Sequence, residues 1–95
     1  TDADHLQATQ ALVQEGKRQI VAALDDLKLK YVPTAANFIL FEVGPNAKDV
    51  ADQLLKRGII VREMTAWNLT GFLRVTIGKT QENEKFITNL REVLK

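Results

Sequence analysis

Two short apolar segments, each carrying one arginine, constrain the fold of this chain more than any other feature. They are residues 59–62 and 72–77, whose β-branched and aromatic side chains are typical of strands. The run between them, residues 63–71, has the composition of a loop. A cation on a rigid strand among apolar neighbours needs an anion, which is either a nearby carboxylate or a substrate.

Hydrophobic periodicity places the elements that precede these strands. Large apolar residues at spacings of seven, four and three predict a long N-terminal helix over about residues 4–27. Gly16 is the weak point of that helix, because glycine costs about 1 kcal/mol relative to alanine in a helix interior. Residues 29–33 indicate an extended connector that ends in a proline, and residues 37–43 form the clearest strand.

Two further amphipathic helices complete the chain. One begins after a cap at Asn46 and ends before Gly58, and the other begins at a Thr80 cap. The resulting order, α-β-α-β-β-α, predicts an α+β two-layer sandwich with a three-stranded, mostly antiparallel sheet and helices on one face. A chain of 95 residues is expected to form a single domain, over residues 1–95.

Composition excludes several classes of function. Thirteen basic and twelve acidic residues leave a formal charge of +1, so no global charge favours nucleic acid or anionic lipid. The chain has no cysteine, which excludes disulfides and thiolate metal sites and fits a reducing, cytoplasmic location. No apolar run approaches the ~20 residues of a membrane span. The polar start without an initiator methionine leads us to expect a processed or excised piece of a longer protein.

Few residues have the pattern of a catalytic or metal site. The single histidine, His5, lies in the first turn of the first helix, where we expect solvent exposure rather than catalysis. Asp25 and Asp26 lie near a helix C-terminus and are most simply a solvated pair. The lysines are scattered, with no sign of a buried Schiff-base lysine, and no glycine-rich phosphate loop is present.

Arg74 and Arg62 are the candidates for binding an anion. By strand alternation Arg74 points away from the predicted core, and a planar guanidinium there can bind a carboxylate through two parallel hydrogen bonds. Spacing alone nevertheless favours an ordinary surface ion pair, with Glu42 or Glu63 as the partner. The predicted core face carries Leu73, Val75 and Ile77, and the face of Arg74 carries Phe72 and Thr76.

The loop between the two arginine strands adds one aromatic residue. Arg62 ends its strand, where a solvated role is expected even more than for Arg74. Trp67 either lines a pocket or packs over the small core. The residues alone therefore indicate a small α+β domain with a candidate anion site.

Three runs of sequence form a recognisable pattern. They lie within residues 31–40, 54–62 and 73–84, and they read P-x-x-A-N-F-I-L, G-I-I-V-R and L-R-V-T-I-G-x-x-x-E-N-E. In this order and at these gaps they resemble the C-terminal small domain of histidinol-phosphate aminotransferase. The resemblance extends from about residue 10 to the end of the chain. Histidinol-phosphate aminotransferases belong to the fold-type I aminotransferases, which use pyridoxal 5'-phosphate (PLP). Glu63-Met64 follow Arg62 where many relatives have proline, so the loop departs from the pattern.

The resemblance implies a role for each arginine. Arg74 matches the strand arginine that grips the α-carboxylate of an amino-acid-like substrate, and Arg62 matches a second arginine on the side of the substrate phosphate. The full enzyme, a homodimer, would transfer the amino group of L-histidinol phosphate to 2-oxoglutarate in histidine biosynthesis. One site would then bind two different anionic substrates in turn.

The resemblance also implies what this chain lacks. The Schiff-base lysine, the aspartate that pairs with the pyridine nitrogen and the residues that bind the PLP phosphate belong to the large domain of the family. We therefore expect the chain alone neither to bind PLP nor to transaminate. Two alternatives are a free-standing regulatory module, in which Arg62 and Arg74 bind a small carboxylate, and an interaction domain without a ligand.

Overall fold

A computed structural model describes residues 2–32 and 37–94 of the chain, with side chains from residue 13 onward. Within these residues the chain is α+β, with three α-helices and a four-stranded sheet, which confirms the predicted class. None of the described helices combines the length and apolar character needed to cross a bilayer. The helices are α1 (Asp2–Asp26), α2 (Ala47–Lys56) and α3 (Thr80–Val93); the strands are β1 (Tyr31–Val32), β2 (Phe38–Glu42), β3 (Arg62–Glu63) and β4 (Phe72–Thr76).

The sheet has the order β1-β2-β4-β3, and every neighbouring pair is antiparallel. The prediction of three strands is wrong because the connector before Pro33 is itself paired. Tyr31 lies opposite Phe41, and the N–H of Glu42 donates to the carbonyl of Lys30 at 2.8 Å. A residue before proline favours an extended backbone, and here that extended backbone lies beside β2.

The third strand begins later than the predicted residues 59–62. Helix α2 ends in a Schellman motif, in which Gly58 has a φ of +83° and its N–H donates to the carbonyl of Leu55. The N–H of Ile59 donates to the carbonyl of Leu54 at 2.8 Å. Because the cap of α2 uses the backbone of Ile59, regular pairing with β4 begins only at Arg62.

All three helices pack on one face of the sheet, as predicted. The sheet contributes Phe41 and Leu73, both fully buried, and the Phe41 ring packs edge-on against Phe86 of α3 at 5.7 Å between centroids. Burial alternates along β4 as strand geometry requires, so Arg74 lies on the face opposite the helices. The core is formed mainly by Ile20, Leu24, Ile39, Phe41, Val50, Leu54, Leu73, Val75, Phe86 and Leu90.

Gly16 is a close-packing position rather than the weak point of α1. The residue is buried, and a Cβ there would overlap Cγ2 of Ile77 and lie 2.8 Å from Nδ2 of Asn83. Helix α1 therefore approaches the turn between β4 and α3 more closely than any side chain at residue 16 would permit. This contact outweighs the low helix propensity of glycine.

The turn after β4 is held by side-chain hydrogen bonds. Buried Asn83 accepts from the N–H of Gly78 at 2.9 Å and donates to its carbonyl at 3.0 Å. The cap of α3 is Lys79, one residue before the predicted Thr80, and its N–H donates to the Glu82 carboxylate. This carboxylate satisfies a helix-end donor, as in a capping box.

Candidate anion-binding site

The pairing of β3 with β4 places Arg62 directly opposite Arg74. In an antiparallel pair, the Cα atoms of opposed residues are about 4.5–5.5 Å apart and their side chains project from the same face. That face is the one without helices, because the flanking Leu73 and Val75 are buried on the other side. The fold therefore brings the two predicted anion-binding residues together.

The surface around the arginines, here called the open face, is only partly polar. It carries side chains from three strands in register, since Leu40 lies opposite Arg74 and Phe38 opposite Thr76. Phe38, Leu40 and Arg74 are each half-buried even though no helix covers them. The prediction that Arg74 shares a partly apolar face with Phe72 and Thr76 is confirmed.

Arg74 packs against an aromatic ring. Its guanidinium carbon lies 5.2 Å from the centroid of the Phe38 ring, within the range of a cation–π contact. Such a contact restricts the guanidinium, and no hydrogen bond or ion pair of the described residues uses its N–H donors. Arg74 is therefore held against β2 with donors that can still bind an anion.

Arg62 packs against a second ring, from the other side of the pair. Its guanidinium carbon lies 5.6 Å from the centroid of the Trp67 ring. Trp67 ends a short 3-10 turn, Thr65–Trp67, and the next residue, Asn68, has a left-handed φ of +61°. Trp67 is 52% exposed and is not part of the described core, so the predicted packing over the core is wrong and pocket lining stays a prediction.

Within the described part of the chain, neither arginine forms an ion pair. The ion pairs found there join Arg57 to Glu92 and Arg91 to Asp26, both on the helical side. Glu63, one of the two predicted partners, instead accepts hydrogen bonds from the N–H and hydroxyl of Thr65. Glu42 shares the open face with Arg74 and makes no ion pair with it. The surface ion pair favoured by spacing alone is thus not formed.

Two like charges directly opposite each other in a sheet repel, and an internal counter-ion would normally offset that repulsion. No described carboxylate does so for Arg62 and Arg74. An anion with several oxygens is the natural complement, because each guanidinium presents a planar fork of donors. The arrangement can bind and orient a carboxylate or a phosphate.

The other candidates from the sequence do not join this site. His5 has a side chain outside the described residues. Asp25 and Asp26 are exposed as predicted, but Asp26 accepts from Arg91 at 2.7 Å. A cavity of about 340 Å³ lies between residues 58–60, the end of β4 and α3, and neither arginine lines it. No group of metal-binding side chains occurs among the residues that the structure describes.

The residues present do not fit PLP. A Schiff-base lysine lies in an enclosed site, and every lysine with a described side chain is exposed except Lys17, which is half-buried on α1. The open face carries cations and rings but no lysine in the described strands. Among the described residues, the open face therefore has the chemistry of an anion site rather than that of a PLP pocket.

Sequence reasoning missed the direct opposition of Arg62 and Arg74 and the two rings that flank them. A signal was present, because each arginine lies six residues from Asn68. Asparagine tolerates a left-handed backbone, so a hairpin folded about that residue places the two arginines in register. The contact with Phe38 depends on the pairing of β2 with β4, which are separated by a helix and a strand.

Comparison with known proteins identifies the family of the chain. The family described as aminotransferase class I and II matches residues 1–90. The histidinol-phosphate aminotransferase of Symbiobacterium thermophilum is 43% identical over 98% of this chain and 26% of its own length. That of Moorella thermoacetica is 42% identical over 98% of this chain and 24% of its own length. The chain thus spans about a quarter of the length of these curated relatives.

Solved structures show the same fold. The histidinol-phosphate aminotransferase of Sinorhizobium meliloti, solved in complex with pyridoxal-5'-phosphate, superposes with a TM-score of 0.88. The match covers 98% of this chain and 26% of the Sinorhizobium chain at 24% identity, so it shows a shared fold alone. The family is shown by the match over residues 1–90: the chain belongs to the class I and II aminotransferases.

Proposed function

We propose that this chain is the C-terminal small domain of a PLP-dependent aminotransferase and that it holds the anionic groups of the substrates. The observation that carries the proposal is the opposed pair Arg62–Arg74, which has no carboxylate partner in the described residues and lies on the face without helices. In this proposal PLP, its Schiff-base lysine and the catalytic step belong to a large domain, and the full enzyme is a homodimer.

For the reaction we propose transfer of the amino group of L-histidinol phosphate to 2-oxoglutarate. The support is that the relatives at 43% and 42% identity are histidinol-phosphate aminotransferases. The two substrates carry a phosphate ester and carboxylates, respectively, so the site must bind both kinds of anion in turn. In this role Arg74 holds the α-carboxylate of 2-oxoglutarate, and Arg62 lies on the side of the phosphate of L-histidinol phosphate.

Two cations suit this alternation because a guanidinium binds both carboxylates and phosphates through parallel hydrogen bonds. Fixing the anionic end of the substrate orients its amino-bearing carbon and lowers the entropy cost of the reaction. The open face supplies the rigidity, since Arg74 lies in the central part of the sheet between β2 and β3. A cytoplasmic location, expected from the lack of cysteine, stays a prediction.

The direct test is Arg74→Ala in the full enzyme. Loss of a two-bond anion contact should lower kcat/KM by about 100-fold, equivalent to roughly 3 kcal/mol. Arg57→Ala is the matched control, because Arg57 pairs with Glu92 on the helical side and should leave kcat/KM unchanged. An unchanged kcat/KM in Arg74→Ala would exclude Arg74 as the anchor.

A free-standing module for small carboxylates is the alternative, and it is favoured by the same arginine pair without a lysine that fits PLP. The two functions predict different coding sequences upstream of this chain. An open reading frame that continues upstream by the length of a large domain, with a Schiff-base lysine in it, supports the aminotransferase. For the isolated chain we expect no PLP absorbance band that survives dialysis and no turnover. A surviving band or measurable turnover would contradict the division of roles proposed here.

A further inference from the structure

We propose that Trp67 is a positioning residue of the anion site, which holds the Arg62 guanidinium beside Arg74. This inference rests on the proposed function, because it assigns a role within the same site. Trp67 itself need not touch the substrate. Its ring acts through Arg62, whose guanidinium carbon lies 5.6 Å from the ring centroid.

Arg62 needs such a support more than Arg74 does. It lies on the two-residue edge strand β3, it is exposed, and no described carboxylate pairs with it. A free arginine side chain has many rotamers, and this conformational freedom is lost when it binds a ligand in one geometry. A contact that restricts the side chain beforehand lowers that loss and strengthens binding.

The segment that carries Trp67 is well fixed. The Glu63 carboxylate accepts from the N–H of Thr65, and the N–H of Trp67 donates to the carbonyl of Met64 at 3.0 Å. Met64 is buried and anchors the start of the turn. Trp67 is therefore attached to a hydrogen-bonded turn, although the residue itself is 52% exposed.

Each arginine thus has a ring beside it, Phe38 beside Arg74 and Trp67 beside Arg62. Phe38 is half-buried in the sheet, whereas Trp67 lies in a loop and has no role in the core. A cation–π contact restricts each guanidinium, whose five N–H donors include some that remain for an anion. Removal of the Trp67 ring should therefore weaken anion binding without unfolding the domain.

The test uses the chain itself with inorganic phosphate as the probe, at ionic strength held constant with chloride. The Arg62 and Arg74 side-chain N–H resonances are followed by NMR in the wild type, Trp67→Leu and Trp67→Phe. The half-saturating phosphate concentration should rise about 2- to 5-fold in Trp67→Leu, the equivalent of an exposed cation–π contact. It should stay within about 2-fold of wild type in Trp67→Phe, which keeps a ring.

Two further readouts separate positioning from a structural role. Ring currents should shift the Arg62 N–H resonance in the wild type and Trp67→Phe but not in Trp67→Leu. Trp67 is the only tryptophan, so its fluorescence should respond to phosphate in the wild type and lose that response in Arg62→Gln. Ile60→Ala is the control, because Ile60 is an 81% exposed apolar residue on the neighbouring segment and should change neither readout.

The outcomes distinguish this inference from the proposed function. If Arg62→Gln and Arg74→Gln weaken phosphate binding while Trp67→Leu does not, the anion site stands and the role of Trp67 is wrong. If neither arginine resonance responds to phosphate in the wild type, both proposals are overturned. Equal weakening in Trp67→Leu and Trp67→Phe would assign Trp67 a merely structural role and contradict positioning.

Discussion

The two faces of the sheet differ in how far their side chains find partners within the described chain. On the helical face, Phe41 and Leu73 are fully buried among side chains of the three helices. On the open face, Arg74 and Arg62 stand opposite each other with rings beside them and no described counter-ion. The helical face buries its apolar side chains within the chain, whereas the open face carries two cations without a described counter-ion.

This difference separates stability from function. Apolar burial on the helical face is the main source of folding free energy, at about 25 cal/mol per Å². A cross-strand pair of like charges contributes in the opposite sense, by about 0.2–1 kcal/mol. An anion bound between the two arginines, as proposed above, would offset this repulsion.

The largest expected effect compares two phenylalanines on the same strand. Phe41→Ala should lower the free energy of unfolding by about 3–5 kcal/mol, because it opens a cavity in the core. Phe38→Ala, on the open face, should lower it by roughly 1 kcal/mol or less. Urea denaturation of both variants measures the difference. Equal losses would mean that the open face is as much a core as the helical face.

The next effect concerns how tightly α1 lies on the helical face. Gly16→Ala should destabilise the chain by about 1–3 kcal/mol, since a Cβ would overlap Ile77. Helix propensity alone predicts the opposite sign, a gain of about 1 kcal/mol. Arg18→Ala, at an exposed position of the same helix, is the control for propensity without crowding. A stabilised Gly16→Ala variant in thermal unfolding would show that α1 packs less closely.

A smaller, pH-dependent effect tests the link between β1 and α1. Partial burial raises the pKa of Tyr31, and the Asp25 carboxylate, which accepts its hydroxyl hydrogen bond, raises the pKa further. A raised pKa means that folding favours the neutral phenol, so this stabilisation is complete below pH ~10 and is lost as the pH rises above it. Unfolding measured at pH 9 and pH 11 should show a smaller alkaline loss in Asp25→Asn and in Tyr31→Phe. An identical loss in all three proteins would contradict the link.

The sequence predicted the helical face better than the open face. Periodicity identified the residues of α2, α3 and β4 because their apolar positions recur at fixed spacings. Strand alternation placed the Arg74 side chain on the other face of the sheet from Leu73 and Val75. It missed β1, since a two-residue strand has no period, and it misjudged Gly16, since a close approach depends on Ile77 and Asn83 of distant elements.

The anion site was predictable only in part, for a related reason. Arg62 and Arg74 were identified individually, but spacing favoured ion pairs with Glu42 or Glu63. The competing hydrogen bonds of Glu63 with Thr65 depend on the conformation of the turn after β3, which no local pattern specifies. The partnership of each arginine with a ring likewise depends on pairing between strands.

The smallest expected effect is a change in the free energy of unfolding. It is also the most direct test of the central claim, that Arg62 and Arg74 form a site for an anion. The measurement is the free energy of unfolding of wild type and Arg62→Gln, in chloride and in phosphate at equal ionic strength. In chloride, Arg62→Gln should differ from wild type by less than about 1 kcal/mol, because relief of the repulsion with Arg74 and loss of the Trp67 contact act in opposite directions. Phosphate should stabilise the wild type more than the variant, since ligands stabilise the state they bind. A variant that gains as much stability from phosphate as the wild type would contradict the anion site.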